Sequence, residues 1–152
     1  RSEATERRRA DTDGDRSGLG DQRARERRAG QPFRGDESVQ TLDALCAVAH
    51  KKAANAVNLK LMKHGGPVEV GRIGRAAQRL GMKVMVGAMV ETRLGLAASL
   101  HLARSLGRVD LIDLDTALLL RWDPFEGGYA RNGAELTLLE DTGLGVRETA
   151  TA

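Results

Sequence analysis

One lysine occupies an unusual place for a charged side chain. Lys60 lies within the apolar run Ala56–Leu61, which contains the β-branched Val57 and leads to Gly65-Gly66. Such a run predicts a buried strand that continues into a loop. Burying an ammonium group among apolar side chains is costly unless the group is paired or loses its proton. A lysine that can lose its proton at a strand end can act as a general base near neutral pH.

Further polar residues fall where they could join Lys60. Asp36, the segment Ala88–Glu91 and the pair Asp113 and Asp115 each follow a predicted strand. The carboxyl ends of parallel strands meet at one edge of a sheet, where the chemistry of α/β proteins takes place. A lysine and several carboxylates at one edge are typical of a functional site.

Each of these residues also has an ordinary interpretation. Lys60 could extend its amine to solvent, as strand-end lysines commonly do. Asp36 could cap a helix, and Asp113 and Asp115 could be solvated acids at a strand end. Glu91 could be an acid that favours the start of a helix. These alternatives stay open on the residue pattern alone.

The elements that would position these residues alternate along the chain. Apolar periodicity predicts a helix that ends near Ala54, capped by Ser38 or Thr41 and carrying Cys46 on its inward stripe. The further predicted elements are a strand Ala56–Leu61, a helix Pro67–Leu80 stopped by Gly81, a strand Met82–Val86, a helix over 91–106 stopped by Gly107, a strand Val109–Asp113 and a hairpin turn at Arg131-Asn132-Gly133. Alternating strands and helices indicate parallel βαβ units, hence an α/β fold that is either a small open sheet or part of an eight-stranded barrel.

The first 35 residues differ from the rest. They contain ten arginines, no lysine and seven acids, a net charge of +3, which is the net charge of the whole chain. Few apolar side chains and no periodicity predict a disordered Arg-rich tail over residues 1–31 and an ordered domain over 32–146, with a second disordered tail over 147–152. An Arg-rich tail can bind phosphates, but the interspersed acids and the lack of aromatic residues argue against a nucleic-acid partner.

Cysteine and apolar content suggest a cellular setting. The single cysteine, Cys46, excludes an internal disulfide framework and fits a reducing cytosol. No run approaches the roughly 18 apolar residues of a membrane span, so no membrane partner is expected. His64 is expected to be an exposed loop residue, and His50 and His101 fall in helical patterns. We therefore predict a cytoplasmic protein.

Several motifs in order resemble one enzyme family. They are Asp36-Glu-Ser-Val, Asn58-Leu-Lys-Leu-Met-Lys63 with Gly65-Gly66, Met85-Val-Gly-Ala-Met-Val-Glu91, Asp113-Leu-Asp115 and Gly143-Leu-Gly145. With this order and spacing the chain resembles the enolase superfamily over about residues 32–146. Within that superfamily it is similar to the dipeptide epimerases of the L-Ala-D/L-Glu type in the muconate-lactonizing branch. The resemblance implies the C-terminal half of a (β/α)₇β barrel and a Mg²⁺-dependent enzyme that abstracts the proton α to a carboxylate.

The resemblance also implies a role for each site residue. Lys60 matches the acid/base lysine, and Asp36 matches a carboxylate ligand of Mg²⁺. Asp113 and Asp115 match the pair that binds the α-ammonium group of the dipeptide. Ala88 and Val90 match positions that line the substrate.

The chain departs from the family pattern at its N-terminal side. Such enzymes carry two further metal carboxylates and a Lys-x-Lys motif on earlier strands, together with a capping domain, whereas here that region is the Arg-rich tail. One carboxylate alone holds Mg²⁺ poorly. We therefore expect half a site and no activity from this chain alone, with a homo-oligomer or a complementing N-terminal half as partners. The alternatives are a non-catalytic module whose basic tail binds an acidic partner, and an enzyme similar to muconate cycloisomerase or succinylbenzoate synthase.

Overall fold

The computed structural model describes residues 39–149. Asp36, the strand predicted before it and the predicted tail over 1–31 lie outside the described residues. In chain order, the described elements are α1 (Leu42–His50), β1 (Ala56–Leu59), α2 (Pro67–Arg79), β2 (Lys83–Gly87), α3 (Arg93–Leu106), β3 (Leu111–Asp113), a short 3₁₀ helix (Thr116–Leu119), β4 (Phe125–Gly127), β5 (Tyr129–Asn132), β6 (Glu135–Leu138) and β7 (Val146–Glu148).

A parallel sheet in the order β1-β2-β3 forms the centre of the described part. Leu59 pairs with Val86, and Gly87 pairs with Asp113, so the carboxyl ends of the three strands lie side by side. Helices α2 and α3 connect successive strands, as right-handed βαβ units require. The predicted α/β fold with parallel βαβ units is confirmed. Strand β1 ends at Leu59, two residues before the predicted end, and Lys60 directly follows it.

The two faces of this sheet have different neighbours. On one face Val57, Leu59, Val84 and Val86 are buried in the apolar core together with residues of all three helices. Side chains alternate between the faces of a strand, so Asn58 and Lys60 share the opposite face with Met85 and Gly87. This second face carries the predicted site.

The helix boundaries follow local chemistry. The side-chain oxygen of Thr41 accepts a hydrogen bond from the N–H of Ala44 at 3.2 Å, so Thr41 caps α1. Pro67 starts α2 at a position where its missing N–H costs nothing. Cys46, predicted on the inward stripe of α1, is exposed, whereas its neighbour Leu45 is fully buried. The prediction for Cys46 was wrong, because the side of α1 that packs against the core is narrower than the number of apolar residues in this helix suggests.

The C-terminal part of the chain packs as small antiparallel pairs. Strands β5 and β6 form a hairpin whose turn contains Gly133, with φ of 60°, and β4 pairs with β7. Arg93 at the start of α3 binds this region, because its Nη1 donates to the carbonyl oxygens of Gly127 and Tyr129 at 2.8 and 2.7 Å. Strand β7 continues to residue 148, so regular structure extends past the predicted domain boundary at 146. Within residues 39–149, no helix has the length and apolar character needed to cross a membrane.

Candidate functional site

Lys60 lies at the edge of the sheet where the strands end, next to the loop that follows β2. Its side chain is partly buried, and its Nζ lies 4.0 Å from Sδ of Met89. The register of β1 and β2 brings Lys60 level with Gly87, which pairs with Asp113. The structure therefore places Lys60 and Asp113 at the ends of β1 and β3, with only the end of β2 between them. This arrangement agrees with the prediction that strand ends bring these residues to one edge.

The loop between β2 and α3 carries Ala88 and Val90. Ala88 is partly buried, and Val90 is 56% exposed. Glu91, at 7% exposed, holds this loop because its Oε1 accepts a hydrogen bond from the N–H of Met89 at 3.0 Å. Gly95 leaves room for the carboxylate of Glu91, since a Cβ at Gly95 would collide with Oε2. Glu91 thus fixes the main chain of the loop beside Lys60.

The acid pair lies at the end of β3. Asp113 is its last residue, Asp115 precedes the 3₁₀ helix, and both side chains are exposed. Together they line an open cleft of about 290 Å³ whose other walls include Arg131 and Leu136 of the β5–β6 hairpin. Exposed carboxylates beside a cleft can bind a cationic group through charge-assisted hydrogen bonds.

The predicted metal ligand Asp36 lies outside the described residues. Within residues 39–149, no group of three or more His, Cys, Asp or Glu side chains is placed to bind one metal ion. The described residues therefore do not form a magnesium site by themselves, since Mg²⁺ prefers several oxygen ligands in an octahedral arrangement.

His64 was predicted to be exposed, and that prediction was wrong. The side chain is 3% exposed. Its Nε2 lies 2.7 Å from the carbonyl oxygen of Val39. Its Nδ1 lies 2.9 Å from the carbonyl oxygen of Lys60 and 3.2 Å from the backbone nitrogen of the same residue. No local pattern indicates this burial, because Val39 and His64 are 25 residues apart and the loop contains lysines and two glycines.

Asn58 is a further buried polar residue that the sequence analysis did not single out. It is 6% exposed, and its Oδ1 is buried without a hydrogen-bond partner. It lies against Gly87, where a Cβ would come within 2.7 Å of Oδ1. A buried amide oxygen without a hydrogen-bond donor is costly and uncommon. The signal available in the sequence was an amide in a buried strand, two residues before Lys60 and on the same face.

At the opposite end of the sheet, a carboxylate joins β2 to the segment that leads into β3. The N–H of Val84 donates to Oδ2 of Asp110 at 2.9 Å, and Arg108 Nη2 lies 3.6 Å from Oδ1. The hydrogen bond from Val84, followed by the charge of Arg108, lowers the pKa of Asp110 below its ordinary value of 3.8. This carboxylate lies at the amino end of the sheet and therefore supports the fold, away from Lys60.

Comparison with known families agrees with this arrangement. The model of the enolase C-terminal domain-like family matches residues 14–150, which is most of the chain. The chain belongs to this family. The resemblance to the enolase superfamily is thereby confirmed, and the domain boundary at residue 32 stays a prediction.

Curated relatives place the chain close to the dipeptide epimerases. The L-Ala-D/L-Glu epimerase of Bacillus subtilis is 36% identical over 115 residues, which cover 76% of this chain and 31% of that protein. The aromatic dipeptide epimerase of Herpetosiphon aurantiacus is 39% identical over 111 residues, covering 73% and 31%. The chain thus spans about a third of the length of these relatives.

Solved structures show the same fold. A substrate-liganded complex of the Bacillus subtilis L-Ala-D/L-Glu epimerase superposes with a TM-score of 0.75 at 36% identity, covering 80% of this chain and 34% of that one. A dipeptide epimerase from Methylococcus capsulatus, complexed with Mg and the dipeptide L-Arg-D-Lys, gives a TM-score of 0.76 at 29% identity, covering 87% and 44%. Both belong to the enolase-superfamily (β/α) barrels, so the described sheet and helices correspond to part of such a barrel.

Proposed function

We propose that this chain supplies the acid/base lysine and the substrate-binding acids of a dipeptide epimerase. The observation that carries the proposal is the placement of Lys60, Gly87 and Asp113 at three adjacent strand ends. The similarity to named dipeptide epimerases supports it. The enzyme class is accordingly an isomerase that acts on amino acid derivatives.

Each side chain has a separate task in this proposal. Lys60 removes the α-proton of the epimerised residue, or returns it, on one face of the α-carbon. Asp113 and Asp115 bind the α-ammonium group of the dipeptide, because paired carboxylates favour a cation opposite them. Ala88 and Val90 line the substrate and leave space for its side chain.

Magnesium enters the proposal through Asp36 and through the relative whose structure contains Mg. A divalent cation would stabilise the negative charge that develops on the substrate carboxylate. No cluster of three ligands lies within residues 39–149, so these residues would not hold the cation by themselves. We propose Asp36 as one ligand among several that the complete enzyme requires.

The 152-residue chain alone is expected to be inactive, since it spans about a third of its relatives. The test is the exchange of the α-proton of L-Ala-L-Glu for deuterium in D₂O with Mg²⁺, followed by ¹H NMR. The chain alone should show no exchange. A chimera in which residues 39–149 replace the corresponding segment of the Bacillus subtilis epimerase should show this exchange.

Two substitutions in the chimera test the role of Lys60. Lys60→Met should abolish exchange at one epimer of the substrate, whereas Lys83→Met should retain it, because Lys83 is exposed at the amino end of β2. Circular dichroism verifies that every variant is folded. A folded, active chimera that tolerates Lys60→Met would refute the proposed base, and turnover by the chain alone would refute the need for the remaining segments.

A muconate cycloisomerase-like activity is the second candidate, because muconate lactonizing enzyme from Pseudomonas putida has a TM-score of 0.75 at 28% identity. The acid pair Asp113 and Asp115 disfavours it, since muconate carries no ammonium group for them to bind. The remaining expectations stay predictions. They are a homo-oligomer or a complementing N-terminal half as partners, a cytoplasmic location, a domain boundary at residue 32 and, as the alternative function, a non-catalytic module whose basic tail binds an acidic partner.

A further inference from the structure

We infer that His64 is a positioning residue for Lys60, an inference that rests on the proposed function for the role of Lys60. The imidazole is buried in the turn that follows β1. It contacts the backbone of Lys60 on one side and the carbonyl oxygen of Val39 on the other. A single ring thus joins two chain segments that are distant in sequence.

The hydrogen bonds around the ring assign its tautomer. The carbonyl oxygen of Lys60 already accepts hydrogen bonds from the N–H groups of Lys63 and His64 at 3.1 and 3.2 Å. Nδ1 lies 2.9 Å from this oxygen and 3.2 Å from the backbone nitrogen of Lys60. A carbonyl oxygen has two lone pairs and both are already used, so Nδ1 acts as the acceptor for the N–H of Lys60. Nε2 then carries the hydrogen and donates it to the carbonyl oxygen of Val39 at 2.7 Å. In this tautomer, each ring nitrogen has a hydrogen-bond partner.

These bonds fix the backbone from which the Lys60 side chain starts. Lys60 is the first residue after β1, where the regular ladder with β2 stops. The bond to Nδ1 gives its N–H a partner at the point where the strand ends. The bond to Val39 holds the ring itself, and Val39 lies three residues after the proposed metal ligand Asp36. His64 therefore links the segment that follows the proposed ligand to the proposed base.

Two signals test this inference in the whole chain without any turnover. The imidazole ¹⁵N shifts of His64 should show the Nε2–H tautomer. A nuclear Overhauser contact between the Lys60 side chain and the Met89 methyl group should report the Lys60 position, because Nζ lies 4.0 Å from Sδ. His64→Leu should abolish this contact. His64→Asn should restore part of it, because its side-chain oxygen takes the place of Nδ1 and accepts the N–H of Lys60.

The control is Leu138→Ala in the β5–β6 hairpin, a substitution of a partly buried core neighbour that lowers stability without touching the turn after β1. At equal folded fraction, Leu138→Ala should keep the contact between Lys60 and Met89. An unchanged contact in folded His64→Leu, or an Nδ1–H tautomer in the unsubstituted chain, would overturn the inference. If His64→Leu does not fold, the tautomer of His64 and the contact between Lys60 and Met89 in His64→Asn still test the inference.

The outcome is separable from that of the proposed function. If the chimera shows no exchange while the NMR signals follow these expectations, His64 positions Lys60 but the epimerase assignment fails. If the chimera is active and His64→Leu leaves the contact unchanged, the epimerase assignment stands and the inference about His64 fails.

Discussion

Three buried polar side chains support the edge of the sheet that carries the candidate site. His64 joins the Lys60 backbone to Val39, Glu91 holds the loop after β2, and Asn58 lies against Gly87. None of them was assigned a site role from the sequence, and only Glu91 was considered for one. Their placement depends on contacts between loops and strands, which residue type and spacing do not reveal.

The carboxylate of Asp110 gives a prediction about acid stability. Its pKa is lowered in the folded chain by the hydrogen bond from Val84 and by Arg108. A group whose pKa is lower in the folded state stabilises that state above its unfolded pKa and loses the contribution as the pH falls. Asp110→Asn should therefore lower the free energy of unfolding at pH 7, and the difference should vanish in acid below the ordinary value of 3.8.

Urea unfolding at several pH values, followed by circular dichroism, measures this difference. Glu135→Gln, at an exposed position of β6, serves as the control and should change the free energy of unfolding little at pH 7, as most surface substitutions do. A deficit in Asp110→Asn that stays constant from pH 7 down to strongly acidic pH would contradict the role of the charge.

Among the elements, α2 shows how closely the helices pack on the sheet. A Cβ added at Gly74 would lie 2.9 and 3.0 Å from the Leu106 methyl groups and 3.0 Å from Leu59. The same helix contains Gly71, where an added Cβ would meet only the guanidinium of Arg75, at 3.3 Å. Arg75 is exposed and its side chain can move. Alanine substitutions at these two glycines therefore compare the cost of overpacking with the gain in helix propensity within one helix.

Gly74→Ala should destabilise the fold, because overpacking of a core costs about 1–3 kcal/mol. This cost offsets or exceeds the stabilisation of about 1 kcal/mol that alanine provides relative to glycine within a helix. Gly71→Ala should keep that gain and leave stability equal or higher. Urea unfolding of both variants measures these changes. Equal changes in the free energy of unfolding at the two positions would show that α2 is not packed as described.

For the described part of the molecule as a whole, the edge of β3 that faces away from β2 combines an unpaired strand with exposed apolar side chains. Among residues 39–149, β3 pairs with β2 alone, and its Leu111 and Ile112 are 42% and 52% exposed. Leu118, Leu119 and Trp122 follow shortly after and are also exposed. Unpaired strand edges with apolar side chains favour association with other chains.

We therefore expect the isolated chain to self-associate through β3. Ile112→Lys should shift the sedimentation profile toward the monomer, because a charged side chain on an edge strand opposes edge-to-edge pairing. Val68→Lys, at a position on α2 that is 68% exposed, is the control and should leave association unchanged. Association that is insensitive to Ile112→Lys would place the contact elsewhere.

The sequence by itself determined the order of strands and helices from α1 to β3, the family and the positions of Lys60, Asp113 and Asp115 at strand ends. Strands β4 and β7 were not predicted. Alternation, glycine stops and short motifs are local in the chain, so they can be interpreted without coordinates. For the same reason the hairpin turn near Gly133 was predicted correctly, and Thr41, which caps α1, was one of the two predicted capping residues.

Only the tertiary structure decided which residues support those strand ends. The burial of His64 depends on Val39, 25 residues away, and the attachment of the C-terminal strands depends on Arg93, more than 30 residues from its partners Gly127 and Tyr129. The exposure of Cys46 likewise depends on which side of α1 meets the core. Such contacts form between residues distant in sequence, and no local pattern encodes which partners they find.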